Sequence, residues 1–404
     1  MRIIADLHIH SRFSYACSRE MEAERLAWWA RRKGITLLGT GDFTHPIYLT
    51  YLKQKLEPAE AGLFRLREGE REVRFLLTVE ITNIFRHAGR LRKTHTLVFA
   101  PSFAAVDRLN SRLAAHGNLA IDGRPTLTCS AHDLLKLVLD TAPECEVIPA
   151  HVWTPWFSVL GSFSGFDSLA ECYGEDVQSI RAVETGLSSD PVMNWRLSAL
   201  DKLALISNSD AHSPRKLARE ANVLDCELSY AGVLDALTSH DPRQFLYTIE
   251  FFPEEGKYHL DGHRQCNVRL SPAETRQIKN KCPVCGKKLT VGVLHRVDAL
   301  ADRVAGYQPA GAIPAKHILP LEEIIAAALG QKPNTKKVNA EYDRLIERYG
   351  SELAILLDLA EVELADGVPP RILSGILKVR RGEVLISPGY DGVYGKIGLF
   401  DEKG

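Results

Sequence analysis

The sequence predicts an α/β protein, a sheet or barrel of strands with smaller attachments following it. Three observations carry this reading. Short apolar, β-like runs alternate with helical stretches through roughly the first 250 residues. Polar, metal-capable residues recur at or just after the C-terminal ends of those runs, where a barrel of parallel strands builds its active site. Past Phe252 the texture changes to polar, turn-rich sequence and then to renewed helical patterns.

The first run, RIIADLHI, opens the chain. Side chains alternate along a strand, so Asp6, His8 and His10 share one face while Leu7 and Ile9 point the other way. Burying three such polar groups without partners would cost several kcal/mol, so a bound cation or a wet pocket is expected beside them. A helical stretch from Ala23 to Arg32 follows. ITLLGTGD then brings Asp42, with His45 just before Pro46; FLLTVEIT carries Glu80 and THTLVFA carries His95. Helical stretches from Phe103 to His116 and from Ala131 to Thr141 lead to EVIPAHV with His151. AVETG with Glu184, a helical stretch from Val192 to Leu200, and ALISNSDAH with Asp210 and His212 complete the series.

Beyond Phe252 come EEGKYHLDGHRQC, the knuckle-like KCPVCGKKL, and a linker with Gly306, Pro309, Gly311 and Pro314. Helical patterns return between Leu321 and Val368, and VRRGEVLISPGYDGVYGKIGLF reads as a short β-rich end. The chain therefore divides into units 1–252, 253–303 and 304–404, the last mainly helical.

Composition fits a soluble globular protein, with 45% hydrophobic and 25% charged residues. No apolar run reaches the roughly 18 residues that a membrane span needs. The start shows no basic segment leading into an apolar stretch and a small-residue cleavage site, so cytoplasmic residence and no membrane partner are expected. Five of the eight cysteines are scattered, at Cys17, Cys129, Cys145, Cys172 and Cys226, without a disulfide-like pattern. A net charge of −1 argues neither for nor against nucleic acid, but its distribution is uneven. Between Lys257 and Arg303 there are ten Lys/Arg against four Asp/Glu, and Arg86, Arg90, Arg92 and Lys93 crowd one loop with no acidic residue. Such patches suit phosphates.

Taken singly, an HxH pair is a weak signal; here co-occurrence decides. His8, His10, Glu80, His95, His151, Asp210 and His212 are candidate metal ligands, and with Asp42 they form the candidate catalytic set. Mixed imidazole and carboxylate donors suit Zn²⁺, Mn²⁺, Mg²⁺ or Fe²⁺ at adjacent sites bridged by a carboxylate. Two metals about 3.5–4 Å apart can activate water and steady the leaving oxygen of a phosphate ester. His45 reads alternatively as a turn cap, and Glu184 as an acceptor orienting a histidine.

This ordered set, HxH, GTGDF, E, HTL, AHV and SDAH, resembles the PHP superfamily of phosphoesterases over about the first 215 residues. The resemblance implies a distorted seven-stranded (β/α) barrel with two or three divalent metals. Its usual third histidine after the first pair, and a DH pair in the second motif, are replaced here by SRFSYA and GDF, which puts the third metal in question.

A second constellation lies further on. His263-x2-Cys266 and Cys282-x2-Cys285 have the spacing of one closed tetrahedral site, three thiolates and one imidazole, the composition of a structural zinc. His259 is the competing fourth ligand. A zinc-binding module there would position Arg264, Arg269, Lys287, Lys288 and Arg296 toward a polyanion.

Two tryptophans, Trp153 and Trp156, follow His151 closely and are candidates to stack on a base. Asn83 and Asn208 neighbour motif residues and are candidates to read a base carbonyl; Arg90, Arg92 and Lys93 are candidates for the DNA backbone. The whole pattern, with DGHRQC, CPVCGKKLTVGVLHRVDALADR and PGYDGVYGKI, resembles the endonuclease Q family over nearly the entire chain. That resemblance implies a metal-dependent DNA repair endonuclease acting on double- or single-stranded DNA. It would nick 5′ of deaminated bases (hypoxanthine, uracil, xanthine) or abasic sites and leave a 3′-hydroxyl and a 5′-phosphate. The alternatives are a small-molecule phosphatase of the histidinol-phosphate type and a non-catalytic nucleic-acid-binding scaffold. No clamp or helicase partner can be read; IGLFDEKG is too weak a signal for one.

Overall fold

The structure, a computed structural model, describes residues 1–400. Its centre is a mixed sheet of eleven strands. The opening strand, Arg2–Asp6, lies parallel to Leu37–Gly39 and antiparallel to Ala221–Asp225. Leu37–Gly39 in turn runs parallel to the long strand Arg74–His87. That strand folds back on Arg90–Ala100, which pairs antiparallel with Glu146–Pro149. Only Ala88 and Gly89 connect the two long strands, both at positive φ (47° and 77°). Two left-handed residues in a two-residue loop match the right-handed twist of the flanking strands.

The hydrogen-bonded ladder does not close into a ring of seven strands. Ala182–Glu184 and Ala204–Ile206 form a separate parallel pair. At the gaps, side chains take the backbone amides that a neighbouring strand would otherwise take. Glu184 accepts from the His151 N–H at 2.9 Å, Asn208 from Leu7 N–H at 2.8 Å and Asn222 from Ser207 N–H at 3.0 Å. Parallel and antiparallel pairings are mixed throughout, where the sequence pointed to parallel strands.

Five of the strands are also shorter than the apolar runs that predicted them, whereas Arg74–His87 and Arg90–Ala100 extend well beyond theirs. Asp42, His151 and Asp210 each lie at positive φ (48°, 29° and 47°), and a residue there leaves the pleat. At these three places the apolar run stops and the polar residue turns out of the sheet, whereas Glu80 and His95 lie within long strands.

Ile3, Ala5, Leu37, Leu76, Leu97, Phe99 and Ile148 belong to a compact apolar cluster inside the sheet. Glu80 lies four residues beyond Leu76 on its strand, and His95 two before Leu97, so both continue that inward face. The larger cluster fills the space between sheet and helices, including Ala23–Lys33, Phe103–Leu113 and Ala131–Thr141. The last of these starts on a capping box between Ser130 and Asp133.

The C-terminal stretch is more varied than the sequence suggested. Leu321–Leu329, Lys336–Tyr349 and Pro370–Arg381 are helices sharing a core through Ile324, Leu345 and Ile376. Ahead of them Ala315–His317 adds a strand to the central sheet beside Phe245–Glu250. A buried Lys33–Glu352 ion pair of 2.7 Å ties this helical group to the first helix. The hairpin Leu385–Ser387/Lys396–Gly398 returns to the turn at Pro253–Glu255 through Gly389 N–H to Glu254 O at 2.8 Å. Of the IGLFDEKG tail, positions 401–404 lie outside the described residues. Among the described residues no helix is long and apolar enough to cross a membrane.

Candidate metal centre

The inward ends of the strands converge on the Glu80 carboxylate, which is fully buried. Its two oxygens face different groups. Oε2 lies 3.6 Å from His8 Nε2 and 3.2 Å from His10 Nε2, with Asp210 Oδ1 at 3.0 Å from His10 Nε2. Oε1 lies 2.6 Å from His95 Nδ1 and 2.8 Å from His151 Nε2. Donor atoms of His8, His10, Glu80 and Asp210 thus gather at one point and those of Glu80, His95 and His151 at another. A carboxylate shared by two imidazole-rich groups is a donor set that suits divalent metals. His8 Nε2 is buried with no hydrogen-bond partner, as a nitrogen reserved for a metal would be.

The opposite ring nitrogens are held. His8 Nδ1 faces Glu184 Oε2 at 3.0 Å, and His10 Nδ1 faces Asp42 Oδ1 at 3.2 Å. Both carboxylates are themselves anchored. Glu184 accepts from Asn208 Nδ2 at 3.0 Å, and Asp42 accepts from the Ser11 N–H at 2.6 Å and the Ser14 hydroxyl at 2.8 Å. Asp42 and Glu184 therefore orient the histidines from behind rather than joining the converging donors.

The electrostatics show how strongly this pocket attracts positive charge. Burial disfavours the His8 imidazolium, yet Glu184, Glu80 and Asp210 around it hold its pKa well above the ordinary value. Burial likewise opposes ionised Glu80, but His95, Arg124 and His8 keep its carboxyl well below the usual range. His95 goes the other way, lowered to about 4, because burial outweighs the pull of Glu80.

His212 stands at the rim, its ring 4.6 Å from that of His10 and its Nδ1 on the Asp210 carbonyl at 2.9 Å. His45 caps the helix Pro46–Lys55 and stacks on Phe13 at 4.4 Å, away from the donors. Asp6 accepts from the Ser209 and Ala218 amides at 3.0 and 2.9 Å, bracing the loop that carries Asp210. Arg124 is a functional-site residue that no motif anticipated. Its Nη1 donates to Glu80 Oε2 at 2.9 Å. It sits in AIDGRPT, with no motif or ligand-type neighbour to point at it.

Four other expectations meet the packing. Trp153 is a core residue, fully buried with Nε1 on Asn194 Oδ1 at 2.8 Å, and cannot stack on a base. Asn83 is buried too, its amide nitrogen on the Cys129 carbonyl at 3.1 Å. Asn208 is spent on Leu7 and Glu184 as described. Arg92 is buried against the Gly165 carbonyl, Glu171 and the Phe166 ring, so it braces a loop instead of reaching outward. Trp156 is half-buried, stacked on the exposed Phe163 with ring centroids 4.6 Å apart and planes at 4°. Arg90 is exposed, and Lys93 Nζ lies 4.9 Å over the Phe157 ring, which itself lies 5.0 Å from His95.

A second donor cluster is separate. His263, Cys266, Cys282 and Cys285 bring their ligand atoms within 4.8 Å of one another, with His263 Nδ1 at 3.5 Å from Cys285 Sγ. The chain crosses between the knuckles through Val268–Leu270 and Pro272–Gln277. Burial opposes the Cys282 thiolate, but the Cys285 and Val284 amides pointing at its sulfur lower it to about 6. His259 lies outside this group.

The chain matches the family described as the MJ0043 C-terminal domain over residues 320–383. It is 32% identical over 260 residues to the uncharacterized protein MJ0043 of Methanocaldococcus jannaschii. That match covers 62% of this chain and 32% of the relative, so the chain spans about a third of that protein's length. The uncharacterized protein YqxK of Bacillus subtilis is 30% identical over 411 residues, 98% of this chain and 99% of its own. Among solved structures, the lesion-specific endonuclease PfuEndoQ from Pyrococcus furiosus superposes with a TM-score of 0.89 at 30% identity, covering 100% of this chain and 96% of that one. Endonuclease Q in complex with a 27-mer duplex substrate bearing an abasic lesion at the active site gives 0.87 at 30% identity, covering 100% and 98%. With its ligand-bearing strand ends, its four-donor knuckles and its helical end all inside that full-length correspondence, the chain belongs to the endonuclease Q family.

Proposed function

We propose that this chain is a DNA repair endonuclease that hydrolyses the phosphodiester on the 5′ side of a deaminated base or an abasic site. The products would be a 3′-hydroxyl and a 5′-phosphate. The observation that carries the reading is Glu80 dividing its two oxygens between His8, His10 and Asp210 on one side and His95 and His151 on the other.

Divalent metals held by these six residues would supply activated water and neutralise charge building on the phosphate. The protein's own part is positioning. Glu184 and Asp42 fix the His8 and His10 rings so that both Nε2 atoms face inward. Asp210 is aimed by a left-handed backbone and a loop pinned on Asp6. His212 at the rim, with Nδ1 on the Asp210 carbonyl, would exchange a proton with a leaving oxygen. Flipping out a deaminated or abasic nucleotide costs less than flipping a normally paired one, which favours such lesions. Lys93, over the Phe157 ring that neighbours His95, would supply positive charge for the strand, and the Trp156–Phe163 pair and exposed Arg90 would supply a stacking surface and further charge. His263, Cys266, Cys282 and Cys285 fit one structural zinc. We take 1–252 as the phosphoesterase unit, 253–303 as the zinc-binding module and 304–404 as the closing region, in a cytoplasmic protein.

End-labelled duplex DNA carrying one hypoxanthine, uracil or abasic site, incubated with Mg²⁺ or Mn²⁺, tests this. The expected result is a discrete nick 5′ of the lesion, lost in His8→Ala. An intact strand with every metal, alongside phosphate release from a small ester, would replace the reading with a phosphatase.

A further inference from the structure

Arg124 touches the centre from a loop pinned on every side. Gly123 N–H donates to Phe13 O at 3.0 Å, Arg124 N–H to Asp122 Oδ1 at 2.9 Å, and Thr82 N–H to Pro125 O at 2.9 Å. Gly123 itself packs so closely on the Asp42 carboxylate that a Cβ there would collide with it. The Arg124 backbone, which carries the guanidinium, is therefore fixed beside the centre. Its side chain is 25% exposed while the Glu80 carboxylate beneath it is fully buried, so it lies between the donors and solvent. One of its five N–H donors is spent on Glu80 Oε2, the oxygen that His8 and His10 also face.

These facts conflict with a purely structural role. Once Glu80 Oε2 serves as a ligand, its charge is shared and its hold on Arg124 weakens, which leaves the other guanidinium donors at the mouth of the pocket available to a second acceptor. Such a group attracts an anion, and its planar fork matches two oxygens of a phosphate. We propose that Arg124 is the phosphate-binding residue of this centre: it holds Glu80 before the donors are engaged and then grips a non-bridging oxygen of the scissile phosphate. This rests on reading the cluster as a metal-dependent phosphoesterase. No bond is made or broken by Arg124, which acts by charge and direction.

The assignment predicts effects of opposite sign. In Arg124→Met the full-length protein should bind Mn²⁺ at least as tightly as the wild type, because a competing cation is gone. The Mn²⁺-loaded variant should bind methyl phosphate at least about tenfold more weakly, with Arg124→Lys in between because it keeps the charge but loses the fork. On an abasic-site duplex the same variant should raise KM and lower kcat. Unchanged affinity for methyl phosphate would overturn the proposal, and so would weakened Mn²⁺ binding, which would make Arg124 a support of the ligand set. A wild-type protein that binds methyl phosphate through Arg124 yet leaves the lesion duplex intact would uphold the assignment while removing the repair reading.

Discussion

The two donor clusters of this molecule are built in opposite ways. The centre around Glu80 draws its donors from strand ends scattered between His8 and Asp210, and His8 and His10 are each locked from behind by a second carboxylate. Its geometry is already set by the hydrophobic packing beneath it. The knuckle cluster takes all four donors from the short stretch between His263 and Cys285. Only Val268, Cys282 and Leu289 form its buried apolar nucleus. Burying a side chain of that size stabilises by about 1.5–3 kcal/mol, while ordering each residue costs about 1–2 kcal/mol, so three cannot hold the stretch together. In the first cluster an ion would be a guest in a finished site; in the second it would be part of the fold.

Removing the ion should expose that difference most sharply. Cys282→Ser, or a strong chelator, is expected to release one zinc and unfold the 257–292 stretch while the central sheet persists. Structural zinc contributes on the order of 10 kcal/mol to such modules. Hydrogen exchange would show protection lost there and kept at Arg74–His87; uniform loss would make the two regions one cooperative unit.

Glu184→Gln probes the other side. It keeps the side chain's shape but weakens the acceptor on His8 Nδ1, so metal affinity and nicking should fall by roughly 10–100-fold with little change in melting temperature. Titration with Mn²⁺ checks it, and a large drop in melting temperature would mean the site is less independent than argued. Between the clusters, Trp156→Ala should weaken binding to lesion DNA by about 1–3 kcal/mol, whereas Trp153→Phe should lower stability and leave DNA binding alone. Fluorescence anisotropy and thermal melts on both variants separate the two roles.

The smallest effect is expected at the turn where the regions meet. Burial and Glu323 raise the Glu255 carboxyl to about 8 against an ordinary 4.5, outweighing Lys216. Between those values the folded chain keeps a proton that the unfolded chain has lost, so stability falls as pH rises from about 4.5 and levels off above about 8. Because the group is partly exposed, the fall should be about 1 kcal/mol. Glu255→Gln should flatten it, as urea melts at pH 5 and pH 9 would show.

Much of this centre was legible because its donors and their supports sit in local strings, HIH, GDF, VE, HTL, AHV and SDAH, each within or at an end of an apolar run. Those strings survive any uncertainty about how the strands pair. Pairing itself was less legible, although HAGR between two long alternating stretches is a hairpin signal that requires antiparallel strands. Ala315–His317 was missed because three residues carry no periodicity. Trp153 and Trp156 lie three apart after the same histidine, yet one is core and the other half-exposed. Arg92 and Arg90 divide the same way, and nothing local tells them apart. Arg124 was invisible for a further reason: its partner, Glu80, is distant in sequence and its loop has no pattern.

The left-handed backbone at Asp42, His151 and Asp210 carries a consequence for the lineage. Such conformations cost non-glycine residues of order 1 kcal/mol or more, and glycine or asparagine would relieve them. A descendant copy freed from the need to cut DNA would therefore gain stability by drifting to glycine at these three places. Their side chains would be among the first features a decaying copy loses, before its hydrophobic interior shows any sign of change.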